Sequence, residues 1–241
     1  NGAGIKKLVD AGIEVTEGVL EKEALDLNKF FFCFHERKRP YIILKWAQSK
    51  DGFIARENYE AVKISNEYSN RLVHKMRSEM QAIMVGTNTV LHDNPSLTTR
   101  NWSGKNPVRI FIDKQLKAPG KAALFNNEAY TIVLNEIKEE VIDHIHFFRI
   151  NKEEKLLPQL MNLLFEKNIN SLLVEGGSIL LQSFVEEGYW DESFIIINDS
   201  LQLQQGIKAI EMPASNLIDS FNISTDHIHH YKNNTAGFTT I

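Results

Sequence analysis

Cys33 is the only cysteine in 241 residues, which excludes an internal disulfide and a cysteine-rich metal site and fits a reducing compartment. No apolar run reaches the roughly 20 residues of a membrane-spanning helix, and the first residues lack a basic-then-apolar signal pattern. Basic blocks are also missing. The 27 Lys and Arg against 31 Asp and Glu give a formal charge of −4, so no nucleic-acid footprint is indicated and an anionic ligand must be met by local cations. Cytoplasm is the expected location. Gly-x-Gly-x-x-Gly, the Walker loop and the Gly-x-Ser-x-Gly elbow do not occur, which withdraws support from a Rossmann dehydrogenase, a P-loop enzyme and a serine hydrolase. There is no repeat and no low-complexity tract. The chain does have 43% apolar residues, enough for one large domain or a domain with an appendage. It begins with Asn instead of Met, as expected of a processed or trimmed chain.

Taken in order, Ile5, Leu8, Val9 and Ile13 keep helical spacing, Glu14-Val15 reads as a brief strand, and Glu21 to Phe32 reads as a second helix. This motif is too short to fold alone. The charged run His35 to Arg39 before Pro40 marks a boundary, with a new domain beginning near Tyr41. Tyr41 to Ala47 is a β-rich run closed by the Asp51-Gly52 turn signal. Lys45 lies inside it, either snorkelling to an edge or aimed as a cation into a pocket. Ser65 to Met80 predicts an N-capped helix with Leu72, Val73, Met76 and Met80 on one face, followed by a strand at 82 to 85. Strands at 108 to 113 and 129 to 134, a helix at 153 to 166 with Pro158 in its first turn, a strand at 171 to 175 and a helix through Val185 continue the alternation. Near-continuous apolar strands between helices predict an α/β fold with a mostly parallel sheet. Phe194 to Ile197 and Gly237 to Ile241 are expected to be closing antiparallel strands.

Two polar stretches stand out. From Val85 to Arg100 hydroxyls and amides crowd around Pro95, a composition that suits a sugar, a phosphate or a cofactor ribose and equally a solvated turn. At Glu175-Gly176-Gly177-Ser178 a strand ends in two glycines at a helix N-terminus. Backbone N–H groups there are a natural seat for a phosphate, and Gly-Gly is also an ordinary tight connection. His144-x-His146 and His227-x-His229-His230 lack carboxylates or cysteines at ligand spacing, so no metal is expected. Cys33, inside Phe30 to Phe34, reads as buried packing.

Leu44 to Gly52, Met76-Arg77, Val85 to Thr98 and Val174 to Gly177 together resemble the reductase domain of the bifunctional riboflavin-biosynthesis deaminase/reductase, whose fold is similar to dihydrofolate reductase. The spacing of Arg77, Thr89, Asp93, Pro95, Leu97 and Thr98 carries the resemblance, which covers residues 39–241. Residues 1–38 look like the last piece of that family's deaminase domain plus a linker. The deaminase motifs His-x-Glu and Pro-Cys-x-x-Cys are absent, so deaminase activity is not expected, and an upstream deaminase domain is expected to have been removed.

The resemblance implies NADPH-dependent reduction of the ribosyl group of 5-amino-6-(5-phosphoribosylamino)uracil to the ribityl product, in a cytoplasmic homodimer. It places Ala47, Thr89, Asp93 and the run Gly176, Gly177, Ser178, Ile179 and Leu180 on the cofactor side. Arg77, Leu97, Arg100 and Glu175 fall on the substrate side. Asp93, Lys45 and Glu175 become the catalytic candidates, Arg77 and Arg100 the phosphate holders. The chain departs from the family at Lys63, where an aromatic cofactor contact is common, which leaves NADPH over NADH preference open. It departs again at Leu203 to Gly206, which replaces a Leu-Gly-Gly turn. A related reductase acting on a pterin and a non-catalytic nucleotide-binding module are the alternatives.

Overall fold

The computed structural model describes residues 2–58, 60, 62–213 and 216–234. Three helices lead: α1 (Ala3–Asp10), α2 (Glu21–Leu27) and α3 (Lys29–Arg37). The body follows as β1 (Tyr41–Ser49), β2 (Phe53–Ala55), α4 (Glu67–Glu79), β3 (Ala82–Val85), α5 (Thr87–Asp93), β4 (Val108–Ile112), β5 (Thr131–Asn135), β6 (Glu140–Ile142), β7 (Ile145–Arg149), α6 (Leu156–Glu166), β8 (Ser171–Val174) and α7 (Ser178–Glu186). Strands β9 (Glu192–Asn198), β10 (Ile207–Lys208), β11 (Asn216–Ile223) and β12 (Asp226–Lys232) close it.

Ten strands form one sheet in the order β11-β12-β9-β1-β8-β3-β4-β5-β7-β6, and β2 pairs separately with β10. From β9 to β7 every neighbour is parallel; only the edges, β12 on β9, β11 on β12 and β6 on β7, are antiparallel. The expected α/β class is therefore what the chain adopts. Alternation along each strand sorts side chains onto two faces. Ile42, Leu44, Met84, Ile110, Leu172 and Val174 meet Leu160 and Leu164 of α6 and Leu181 and Phe184 of α7. On the opposite face Ile43, Ile83, Val85, Phe111 and Leu173 meet Met76 of α4 and Val90 of α5. Both faces are covered, which is why β3 and β8 read as unbroken apolar or small-residue runs, fully buried.

Several local expectations are corrected. Glu14-Val15 forms no strand. The predicted Glu21 to Phe32 helix breaks at Asn28, whose side-chain amide donates to the Ala24 carbonyl at 2.9 Å. The second part, α3, then runs on to Arg37, where Lys38 turns left-handed (φ 55) ahead of Pro40. The helix predicted from Ser65 starts at Glu67, capped by Asn66, whose Oδ1 accepts from the Tyr68 and Ser69 N–H groups at 2.9 Å each. The polar stretch after β3 is partly helical, as α5. The β6–β7 hairpin had no clear pattern in sequence. Phe194 to Ile197, expected antiparallel, lies parallel to β1 and is antiparallel only to β12. The expected strand at Gly237 to Ile241 lies outside the described residues.

Helix α3 packs on the amino-terminal edge of the sheet. Phe30 stands 5.4 Å from the Tyr41 ring, and Cys33 is fully buried, its thiol pushed up to about 12 mainly by that burial, with Asp191 adding to it.

Candidate active site

The topology makes a switch point. The chain runs outward through β3, β4 and β5, then returns to insert β8 between β1 and β3. Ligands of open α/β sheets bind outside the carboxyl ends of the strands at such a point. Here those ends surround a cleft of about 990 Å³, within the range of small-molecule sites.

Glu175, the first residue beyond β8, lies at its floor. Its Oε1 accepts from Arg77 Nε at 2.7 Å and its Oε2 from Arg77 Nη2 at 2.8 Å, a bidentate pair reaching across from α4. Lys45 Nζ of β1 stands 3.8 Å from the same Oε2. The three side chains are only 7%, 11% and 12% exposed, respectively. Burial pushes the Glu175 carboxyl up, but Arg77 and Lys45 outweigh it and hold it at about 2. For Lys45, burial lowers the ammonium pKa against the pull of Glu175, and Arg77 lowers it further. The result is a carboxylate fixed in its charged form beside an amine that releases its proton more readily than an exposed lysine does.

One wall is the β3–α5 junction. The Gly86 N–H donates to the Gly176 carbonyl at 2.9 Å, tying the carboxyl ends of β3 and β8 together. Thr89 Oγ1 accepts from the Gly177 N–H at 3.1 Å. Asp93 closes α5 at the rim; partial desolvation by its surroundings raises its carboxyl above the ordinary range, His92 opposing. Bonded to it stands the start of α7. Gly176 adopts φ +116, which favours glycine, and no side chain caps the helix. Its first N–H groups and the Ser178 hydroxyl therefore face the cleft as an acceptor-seeking set, with open space where a Gly176 side chain would stand. That donor set fits the phosphates of a nucleotide cofactor.

Of the residues singled out from sequence, Lys45, Ala47, Thr89, Asp93, Arg100, Glu175 and Gly176 to Leu180 all line this cleft. Arg77 and Leu97 do not. The fork of Arg77 is engaged by Glu175, and its Nη1 donates to the Thr98 carbonyl at 3.2 Å, so it stands behind the floor and is not free to clamp a phosphate. Leu97, 2% exposed, gives its side chain to the core. Sequence reasoning missed Lys114 just after β4, Trp46 beside Lys45, and the apolar Val62, Ile64, Leu156 and Ile207. It also missed His74, buried on α4. Burial lowers the His74 pKa, and the charges of Arg77 and Arg100 lower it further. No local pattern marks these positions; they converge from separate elements. Among the described residues no group of three or more His, Cys, Asp or Glu is placed to hold a metal ion, and no helix is long and apolar enough to cross a membrane.

The sequence pattern of the RibD C-terminal domain matches residues 40–200. Riboflavin biosynthesis protein RibD of Aquifex aeolicus is 37% identical over 228 residues, 88% of this chain and 62% of that protein. The 2,5-diamino-6-ribosylamino-4(3H)-pyrimidinone 5′-phosphate reductase of Archaeoglobus fulgidus is 35% identical over 170 residues, 64% of this chain and 78% of that protein. Among solved structures, the diaminohydroxyphosphoribosylaminopyrimidine deaminase/5-amino-6-(5-phosphoribosylamino)uracil reductase of Thermotoga maritima superposes with a TM-score of 0.86 at 30% identity, covering 96% of this chain and 67% of that one. The chain spans 62% and 52% of the lengths of the first two RibD relatives it matches.

Proposed function

The chain belongs to the RibD C-terminal domain family, and from that premise we propose that it reduces the ribosyl group of 5-amino-6-(5-phosphoribosylamino)uracil to the ribityl product with NADPH, a step of riboflavin biosynthesis. The observation that carries this reading is the buried Lys45–Glu175–Arg77 cluster at the floor of a cleft that is also lined by the uncapped, glycine-led start of α7. The cluster offers charge to a sugar, the helix start N–H groups to a cofactor.

When bound, the nicotinamide supplies the hydride that C1′ of the ribose accepts. The protein's part is to position both ligands and move protons. Gly176, Gly177, Ser178, Ile179 and Leu180 hold cofactor phosphate at the helix start; Thr89 and Ala47 flank it. Lys114, paired with Glu136 at 3.2 Å at the rim, is a cation on the cofactor side that would favour NADPH over NADH. Opening the ribose leaves its ring oxygen in need of a proton. Lys45, with its pKa lowered, donates it, while Glu175 keeps the amine charged and in place. Glu175 is thus an ionised anchor and not a proton donor. Asp93, its carboxyl raised, orients the nicotinamide or relays a proton at the open sugar. Arg77 positions Glu175, and Arg100 meets the substrate phosphate. Residues 1–38 are the trailing piece of a deaminase domain plus linker, 39–241 the reductase domain, and the working unit is a cytoplasmic homodimer.

The test is loss of reduced-nicotinamide absorbance with the purified chain and freshly deaminated substrate, with dihydrofolate and NADH as controls. Turnover with the phosphoribosylamino compound and NADPH is expected. Turnover with dihydrofolate instead would move the assignment to a pterin reductase, and saturable NADPH binding without turnover would leave a nucleotide-binding module.

A further inference from the structure

Behind the floor of the cleft sits a titratable group that no step of the reaction uses. His74 lies on α4 one turn before Arg77, is 4% exposed and lines no part of the cleft. Its Nδ1 is buried without a hydrogen-bond partner. A polar nitrogen left unmet in a core is a cost that an apolar side chain would avoid. The reason for an imidazole here lies in what surrounds the ring.

Three elements meet at it. Arg77 shares a face of α4 with His74 at the i, i+3 spacing. The loop after α5 brings the Thr98 carbonyl and the Arg100 side chain, and the end of β8 brings Glu175. Arg77 joins these parts: it donates to both Glu175 oxygens and, through Nη1, to the same Thr98 carbonyl at 3.2 Å. The loop itself is well tied. Thr98 is 5% exposed, the Thr99 N–H donates to Asn106 Oδ1 at 2.8 Å, and the Thr99 hydroxyl donates to the Lys105 carbonyl at 3.2 Å. One carbonyl, faced by both His74 and Arg77, therefore holds to α4 the loop that presents Arg100 to the cleft.

The tautomer follows from the partners. A carbonyl can only accept, and Nδ1 has no partner, so the hydrogen of the neutral ring is on Nε2, toward Thr98, and Nδ1 keeps a bare lone pair. A second proton would enter at Nδ1, where nothing receives it. Burial opposes that proton, and so do the charges of Arg77 and Arg100; Glu175 favours it, but both its oxygens are engaged by Arg77. Once charged, the ring would compete with Arg77 for Glu175 and repel both guanidinium groups.

We propose that His74 is a positioning residue for the reduction, an uncharged strut that holds the Thr98 carbonyl against Arg77 and so sets Glu175 beneath Lys45, and that a proton gained by the ring releases the floor. The inference rests on the proposed reaction for its turnover readout alone. The state of the Arg77–Glu175 pair is read separately.

The experiment compares the parent chain with His74→Gln, whose amide keeps a donor for Thr98 but takes no proton, and with His74→Leu, which fills the space with neither. In the parent, kcat at saturating substrate and NADPH should fall about tenfold per pH unit once the imidazole is charged. The readout is kcat because the substrate's own phosphate titrates near about pH 6 and marks KM. His74→Gln should keep neutral-pH kcat within about threefold and move the acid limb down by at least about one pH unit, leaving the Asp93 carboxyl to set it. His74→Leu should lower kcat about thirtyfold with KM for NADPH unchanged.

Nuclear magnetic resonance of the isotope-labelled chain reads the geometry without turnover. The Arg77 Nε–H, which donates to Glu175, should exchange slowly in the parent and in His74→Gln and about tenfold faster in His74→Leu, its signal being identified by its loss in Arg77→Lys. The imidazole resonance missing from His74→Gln should titrate below the ordinary 6.5. An acid limb unmoved in His74→Gln, a parent kcat that stays flat after this imidazole is charged, or parent-like kcat and Arg77 exchange in His74→Leu overturns the proposal. Should His74→Leu fail to fold, the position of the acid limb in His74→Gln decides by itself. Should the parent not turn over, the reaction assignment falls, while the Arg77 exchange and the imidazole titration still decide His74.

Discussion

Glu175 and Glu192 are near twins electrostatically, yet only Glu175 lines the large cleft. Both are buried glutamates beside a strand end, and both are held at about 2 against burial that pushes them up. Glu192 opens β9 at the amino-terminal edge of the sheet, 3% exposed, accepting from Tyr41 Oη at 2.6 Å, from Lys29 Nζ at 2.7 Å and from His230 Nε2 at 2.9 Å. Next to it Asp191 accepts from both terminal nitrogens of Arg39 and from the Ile42 N–H. These bonds close a seam with α3, away from the cleft. Glu175 lies at the opposite, carboxyl-terminal edge, where the strands stop short and Lys45 looks into the cleft. A strongly perturbed carboxylate is thus not a functional mark in itself; what it faces decides.

The contrast can be broken from either end. The largest effect should come from Lys45→Met: kcat is expected to fall about a thousandfold, as for loss of a proton donor, with the melting temperature held, because Glu175 keeps Arg77. Equal loss of stability and turnover would make Lys45 structural and the two carboxylates alike. Asp191→Ala should do the reverse. Stranding Arg39 in the seam should cost about 3–4 kcal/mol in denaturant unfolding, with KM and kcat of the folded fraction unchanged. Asp93→Asn comes next, lowering kcat about a hundredfold; near-parental turnover would end its role at the rim.

The smallest effect is shared by the twins. Both folded pKa values lie below the ordinary 4.5, so the stability they contribute is complete above that pH and is lost as pH falls through about 2. Thermal melts should therefore decline between these limits, by on the order of 2 kcal/mol per carboxylate. Glu192→Gln should flatten its share of that slope without touching the activity profile.

The local rhythm was legible in the residues. The strands β1, β3, β4, β5 and β8 could be placed from their apolar runs, and the Glu175-Gly176-Gly177 junction announced a helix start. Periodicity and glycine placement act within a few residues, so they survive in one dimension. The resemblance placed Arg77 and Leu97 among ligand contacts, whereas the folded chain sets one behind Glu175 and buries the other in the core.

Strand direction is a different kind of fact. Phe194 to Ile197 reads the same whether it lies parallel or antiparallel; only its neighbours β1 and β12 decide, and they decide differently. The Arg77–Glu175 pair spans 98 positions, and Lys63, Arg71 and Arg100 share a pocket without sharing a pattern. The sequence by itself determined the fold class and the main strands and helices of the sheet in their order, because hydrogen bonding and burial within an element depend on adjacent residues. Which charges are matched and which are left open was decided only by tertiary structure, because Coulomb energy depends on distance through space and on burial, and neither is written along the chain.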